Sequence, residues 1–137
     1  MKNLSLVAFI LLFVLTGCQT AAPIHRSPGV AVPQALQDED QLELAAQVVR
    51  HPAVSARGWY VEELMDDRVR IRLDVRVHTV IVDVFAENNK LTPVLARSVN
   101  LDEAGGNIHP RVNSWLLNLE NDMRRALSDL GASARRR

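Results

Sequence analysis

The stretch Asn107-Ile108-His109-Pro110-Arg111-Val112-Asn113-Ser114-Trp115 places side chains that donate, accept and carry protons next to one another. The chain has four histidines, His25, His51, His78 and His109, and a single cysteine, Cys18. A zinc centre takes three or four ligands at short regular spacings, commonly with one pair close in sequence. No His-x-x-x-His, Cys-x-x-Cys or comparable acid pair occurs, so no metal is expected. Ser98 can be drawn beside His78 or His109 and an aspartate, but the Gly-x-Ser-x-Gly turn that presents a nucleophilic serine is missing. Gly105-Gly106 is not followed by the lysine and hydroxyl residue of a phosphate loop. The residues therefore predict no catalytic group, no enzyme and no cofactor. They leave a polar set whose position must be explained: Arg76, His78, Ser98, Asn100, His109, Arg111 and Asn113.

The elements that would hold this set follow from periodicity. Asp38, Glu39 and Asp40 suit a helix amino terminus, and Leu42, Ala45, Val48 and Val49 then recur on one face. Pro52 interrupts that helix, and Gly58 ends the segment. A strand is predicted from Trp59 to Leu64, with Met65-Asp66-Asp67-Arg68 as its turn. In Val69 to His78, valine, isoleucine and leucine alternate with Arg70, Arg72, Asp74, Arg76 and His78, the period-two signature of a strand with one buried face. Val80 to Phe85 continues the extended character, but an unbroken strand from 69 to 85 would run about 55 Å, longer than a domain of this size is wide. A turn is therefore expected between Asp74 and His78, and a second at Glu87-Asn88-Asn89-Lys90. Leu91 to Val99 forms another strand, where Pro93 argues for an edge position or a late start. Asp102 to Asn107 is a loop. Pro110 then opens a helix to about Leu130, with Val112, Trp115, Leu116, Leu119, Met123, Ala126 and Leu127 on its apolar stripe and Gly131 as its stop. The fold class is α+β, an antiparallel β-meander of three to four strands packed on one face by an N-terminal and a long C-terminal helix. Trp59 and Trp115 are expected as core anchors.

Ahead of this domain, Lys2 precedes an apolar run from Leu4 to Leu15, too short to span a bilayer and of the length of a signal-peptide core. Leu15-Thr16-Gly17-Cys18 resembles the lipobox of bacterial lipoproteins. That resemblance implies cleavage before Cys18, acylation of its thiol and amino group (palmitate among the acyl chains), and a durable membrane anchor. Gln19 in place of aspartate implies the cell outer membrane, facing the periplasm. The expected organisation is a signal peptide at 1–17, a lipidated start and flexible tether at 18–37 with three prolines, one domain at 38–131 and a basic tail at 132–137.

Removing residues 1–17 takes away one lysine and no acid, leaving 15 basic against 16 acidic side chains and a formal charge of −1. Such a balance does not suggest nucleic acid. Arg70, Arg72 and Arg76 either form a basic stripe or pair with neighbouring acids.

Gly58-Trp59, Arg76-x-His78, Ser98-x-Asn100-Leu101, Ile108-His109 and Asn113-x-Trp115-x-x-Asn118-Leu119 together resemble a group of small, uncharacterised proteobacterial lipoproteins. The chain departs from that pattern at Val112, where the group has tyrosine, and at Phe85-Ala86. The group brings no established reaction. The resemblance implies that the polar set belongs together. Two accounts of the set remain: it caps the helix start and satisfies loop backbone, or it forms a shallow pocket that attracts an anion. The expected function is a non-enzymatic, lipid-anchored envelope module whose partners are the membrane, through Cys18, and another envelope protein; the alternative is a small-ligand or anion-binding lipoprotein.

Overall fold

The computed structural model describes residues 21–137, so the segment expected to be a signal peptide, and Cys18, lie outside the described residues. Its elements run β1 (Ala22–Pro23), β2 (Val30–Ala31), a 3-10 turn (Gln34–Leu36), α1 (Gln41–Arg50), α2 (Pro52–Ser55), β3 (Tyr60–Leu64), β4 (Arg68–Val75), β5 (His78–Glu87), β6 (Lys90–Val99), β7 (Asn107–Ile108) and α3 (Pro110–Arg135). The class is α+β as predicted, but the strand count is larger: a five-stranded antiparallel sheet in the order β2-β6-β5-β4-β3, and a separate two-stranded β1–β7 ladder. The extra strands are two-residue pieces, too short to leave an alternating pattern in the sequence.

The centre of the sheet is the β4–β5–β6 meander. Val69, Ile71 and Leu73 stand opposite Val84, Val82 and Val80, and all six are buried on one face. On the other face Arg68, Arg70, Arg72 and Asp74 stand opposite Phe85, Asp83, Ile81 and Thr79. This register explains why β5 hides its alternation: Ile81 and Asp83 on the second face are buried as well, Asp83 under the Arg70 side chain, so both faces of the strand exclude water.

The unmarked turn lies at Arg76-Val77, where Val75 pairs with His78 and Arg76 takes φ +56°. The second hairpin uses Asn88-Asn89 at φ +52° and +55°, the left-handed pair that matches strand twist in a two-residue loop. Pro93 sits in the part of β6 beyond its short pairing with β2, which covers only Lys90 and Leu91. Because Val32 N–H donates to Asn89 O, alternate residues 89, 91 and 93 direct their backbone groups toward the β2 side. Pro93 thus puts its missing N–H on the open edge, where no ladder bond is lost.

α1 starts at Asp40, whose carboxylate accepts the backbone N–H of Leu42 and Glu43 at 3.0 and 3.1 Å. It packs on β3, β4 and β5, while α3 packs against α2, the 3-10 turn, α1 and β2. Leu44, Val48, Val49, Ile71, Leu119, Met123 and Leu127 share one core with Trp59.

Three expectations are corrected here. The segment read as a flexible tether is, from residue 21 to 37, part of the fold: Val30, Val32 and Leu36 are buried, and Ala22–Pro23 and Val30–Ala31 enter ladders. Its prolines and glycine shape a fitted strap. Gly131 does not end α3, which continues to Arg135, so residues 132–135 are helix and not a loose basic tail. The glycine serves packing: a Cβ there would stand 3.2 Å from Pro33 Cβ. Trp59 is buried, but Trp115 is only partly so.

Candidate functional site

At the end of the sheet where β4 turns into β5, the hairpin tip faces the loop after β6 and the first turn of α3. A cavity of about 430 Å³ opens between them, lined by Arg76, His78, Asn100, Asp102, His109 and Arg111 over Val75, Leu101 and Trp115. Five of the seven residues in the predicted polar set share this cavity: Arg76, His78, Asn100, His109 and Arg111. Ser98 and Asn113 do not. Ser98 Oγ donates to Glu103 Oε2 at 3.3 Å in the adjoining loop. Asn113 faces the strap, donating to Pro23 O and accepting from His25 N–H, each at 2.8 Å.

Each cavity residue has a structural reason for its place. Asn100 Nδ2 donates to Val77 O at 2.8 Å, tying the loop after β6 to the hairpin tip. His78 Nδ1 meets Asn100 O at 2.8 Å. A carbonyl only accepts, so Nδ1 carries the hydrogen, and the neutral ring turns an Nε2 lone pair outward. His109 is the N-cap of α3, and its Nδ1 accepts Arg111 N–H at 3.2 Å. Its neutral ring therefore carries the hydrogen on Nε2. The two histidines thus present opposite hydrogen-bonding characters, one accepting and one donating. Among the described residues neither Nε2 has a partner within the protein, and Arg76 and Arg111 form no ion pair.

Asp102 enters this cavity without having been singled out in the sequence, and Trp115, expected as a core anchor, lines it as well. Asp102 holds φ +56° and Asn100 φ +59°, so with Arg76 three left-handed residues surround the opening. The signal available was the Asn-Leu-Asp run after a strand, since asparagine and aspartate tolerate that conformation. Trp115 is at the helical spacing of the core stripe, yet its ring reaches the cavity from the side.

The remaining histidines are structural. His25 Nε2 lies 2.6 Å from the buried Glu120 Oε1, and His51 caps α2 through Nδ1, which accepts Ala53 N–H at 3.1 Å. Among the described residues no group of three histidine, cysteine or acidic side chains is arranged to hold a metal ion.

Arg70 and Arg72 belong to a different place, the open face of the sheet, where they are paired. Arg70 binds Asp83 through two bonds, Nε to Oδ1 at 2.8 Å and a terminal nitrogen to Oδ2 at 2.9 Å. Arg68 joins Asp83 at 3.4 Å and lies over the Phe85 ring at 4.7 Å. Arg72 binds Asp74 and Glu62, and Asp74 also accepts from Thr79 and Tyr60. The Arg70 bonds hold the Asp83 carboxyl below its ordinary range against the opposing effect of burial. Thr79 and then Arg72 do the same for Asp74, while desolvation and the Asp74 bond raise the Tyr60 hydroxyl. This face is a neutralised network, not a basic stripe. Arg76 is separate from it.

A larger hollow of about 550 Å³ lies between Pro23–Ser27 of the strap and Pro93–Leu95 of β6. His25 in its wall is already engaged by Glu120, which leaves Arg26 as its one charged side chain. The smaller cavity has the more polar lining, with six charged, imidazole or carboxamide side chains.

No family model, curated protein or solved structure matches the chain.

Proposed function

We propose that this protein is a lipid-anchored module of the bacterial cell envelope, fixed to the outer membrane at Cys18 on the periplasmic side, where it binds another envelope component and catalyses no reaction. The observation that carries this reading is Leu15-Thr16-Gly17-Cys18 directly after an apolar run of signal-peptide length. A small, rigid α+β domain held at a membrane suits recognition. Among the described residues, the cavity at the start of α3 brings together two arginines without ion pairs and two histidine Nε2 atoms without partners. Labelling cells with a palmitate analogue tests the anchor: the wild type takes up label, and Cys18→Ser does not. Equal labelling of both would overturn it. Crosslinking in intact envelopes followed by mass spectrometry tests the partner, and recovery of no specific protein counts against that part.

A second reading is favoured by the cavity itself. Two arginines without ion-pair partners and one histidine N–H donor, with Asp102 as the one carboxylate, line a space large enough for a small anion such as a phosphate group. On this reading the protein is an anion-binding lipoprotein.

A further inference from the structure

The strap changes what a lipid at Cys18 would do. Only four peptide steps separate Cys18 from Ala22, a reach of at most about 14 Å for fully extended chain. Ala22 is not the start of a long linker. It pairs with Ile108, and Pro23 pairs with Asn107, so the anchored end is stitched to β7. His109 is the next residue after Ile108, and Arg111 follows in the first turn of α3. Asn113 fastens the same turn to Pro23 and His25. The first described strand and the rim of the cavity are therefore held at one end of the domain.

We infer that the cavity faces the bilayer to which the protein is anchored and binds the phosphate of an anionic lipid headgroup in that leaflet. The inference rests on both readings above, the anchor at Cys18 and the cavity as an anion site. A 14 Å reach leaves little room for the domain to turn away, and headgroup phosphates lie within the polar layer that the anchor traverses. Arg76 and Arg111 supply the charge, and His109 Nε2–H supplies a directional donor. Asp102 is the one carboxylate in the lining, and it opposes two arginines. Overall charge does not explain such binding, because the mature chain carries a formal −1 and would be weakly repelled by an anionic surface.

The test uses residues 18–137 with Cys18→Ser, which retains every described residue and removes the anchor. This protein is mixed with vesicles of phosphatidylcholine alone, or of phosphatidylcholine with phosphatidylglycerol, and vesicle-bound protein is measured after flotation. The expected result is binding to the phosphatidylglycerol vesicles and not to phosphatidylcholine. Arg76→Gln with Arg111→Gln should lower the partition coefficient on the order of 20-fold, since each basic side chain at an anionic surface contributes about five-fold. Arg124→Gln with Arg125→Gln removes the same charge from exposed positions elsewhere on α3 and should change little. Arg76→Gly with Arg111→Gln provides a second form should the hairpin not tolerate glutamine. Equal loss in both double variants, or no binding to either vesicle, would overturn the inference. Binding of inorganic phosphate in calorimetry without any vesicle binding would overturn it while leaving the anion site standing. Palmitate labelling reports on the anchor independently of all these outcomes.

Discussion

Asn113 holds His25 as a neighbouring strand would. Its carboxamide oxygen accepts the His25 backbone N–H at 2.8 Å, and its amide nitrogen donates to Pro23 O at 2.8 Å. One side chain on a helix thereby extends the two-residue β1–β7 ladder. Below it, the same histidine's ring reaches Glu120.

Replacing Asn113 with alanine should open this end of the strap without unfolding the sheet. Two bonds at partly exposed positions predict a loss of about 1–2 kcal/mol. The His25 amide should exchange with deuterium much faster, while the amides of Val82 and Val84 keep their protection relative to global unfolding. Unchanged exchange at His25 would show that the strap is held by its buried valines alone.

Asp83→Asn should make the protein less stable near neutrality and less sensitive to acid. The Asp83 carboxyl titrates lower in the folded chain than in the unfolded one, because Arg70 and Arg68 favour its charged form. Its contribution is therefore complete above the ordinary aspartate value, near pH 4, and disappears as pH falls through the lower folded value. The arginines keep about a third of their surface in water, so the expected loss at pH 7 is about 1–2 kcal/mol. Urea denaturation at pH 7 and pH 3 measures both values. A difference between wild type and variant that does not shrink at pH 3 would refute the assignment.

Gly131 offers a test of packing against termination. In a helix interior, glycine to alanine should gain about 1 kcal/mol from backbone entropy. Here the new methyl would press on Pro33 at 3.2 Å, and that contact offsets the gain. Gly131→Ala should therefore be close to neutral, and Gly131→Leu should cost about 2 kcal/mol by overpacking against the strap. A clear stabilisation by leucine in urea melts would contradict the contact.

Arg76 should trade stability against binding. Its φ of +56° strains a residue with a Cβ, and glycine removes that strain. Arg76→Gly should raise the thermal midpoint by a few degrees, corresponding to about 1 kcal/mol. If the cavity binds anions, the same variant should bind phosphate more weakly. A variant that is both more stable and equally competent would remove Arg76 from the site.

His109 separates capping from recognition. His109→Asn retains a side-chain acceptor for the Arg111 N–H, whereas His109→Ala loses it at a cost of about 1 kcal/mol. Normal melting of the asparagine form together with weakened phosphate binding would assign a ligand role to Nε2.

The meander is legible in the sequence because it is built from hairpins between strands that are neighbours in the chain. Val69 to Leu73 alternate cleanly because their strand has one wet face, and Asn88-Asn89 declares its hairpin. His78 and Asn100 stand 22 positions apart, and their grouping with Arg76 and His109 follows from the motif resemblance rather than from nearness in the chain. The strap reads as a tether because proline, glycine and small residues describe linkers and fitted segments equally well. Its only signal was the spacing of Ile24, Val30, Val32 and Leu36, whose partners lie far along the chain. Gly131 reads as a stop for a related reason, since a stop and a close contact place the same residue at the same point.

That strap also sets an order of assembly. The hairpins β3–β4, β4–β5 and β5–β6 join neighbours in sequence, whereas His25 must find Asn113 and Glu120 across 88 and 95 positions. Distant pairings close late, after local contacts have shortened the effective loop. A chain crossing a membrane from its amino terminus would thus display the strap unsatisfied until α3 had emerged. During that interval Val30, Val32 and Leu36, buried in the finished fold, would stand open to solvent and to any apolar surface nearby.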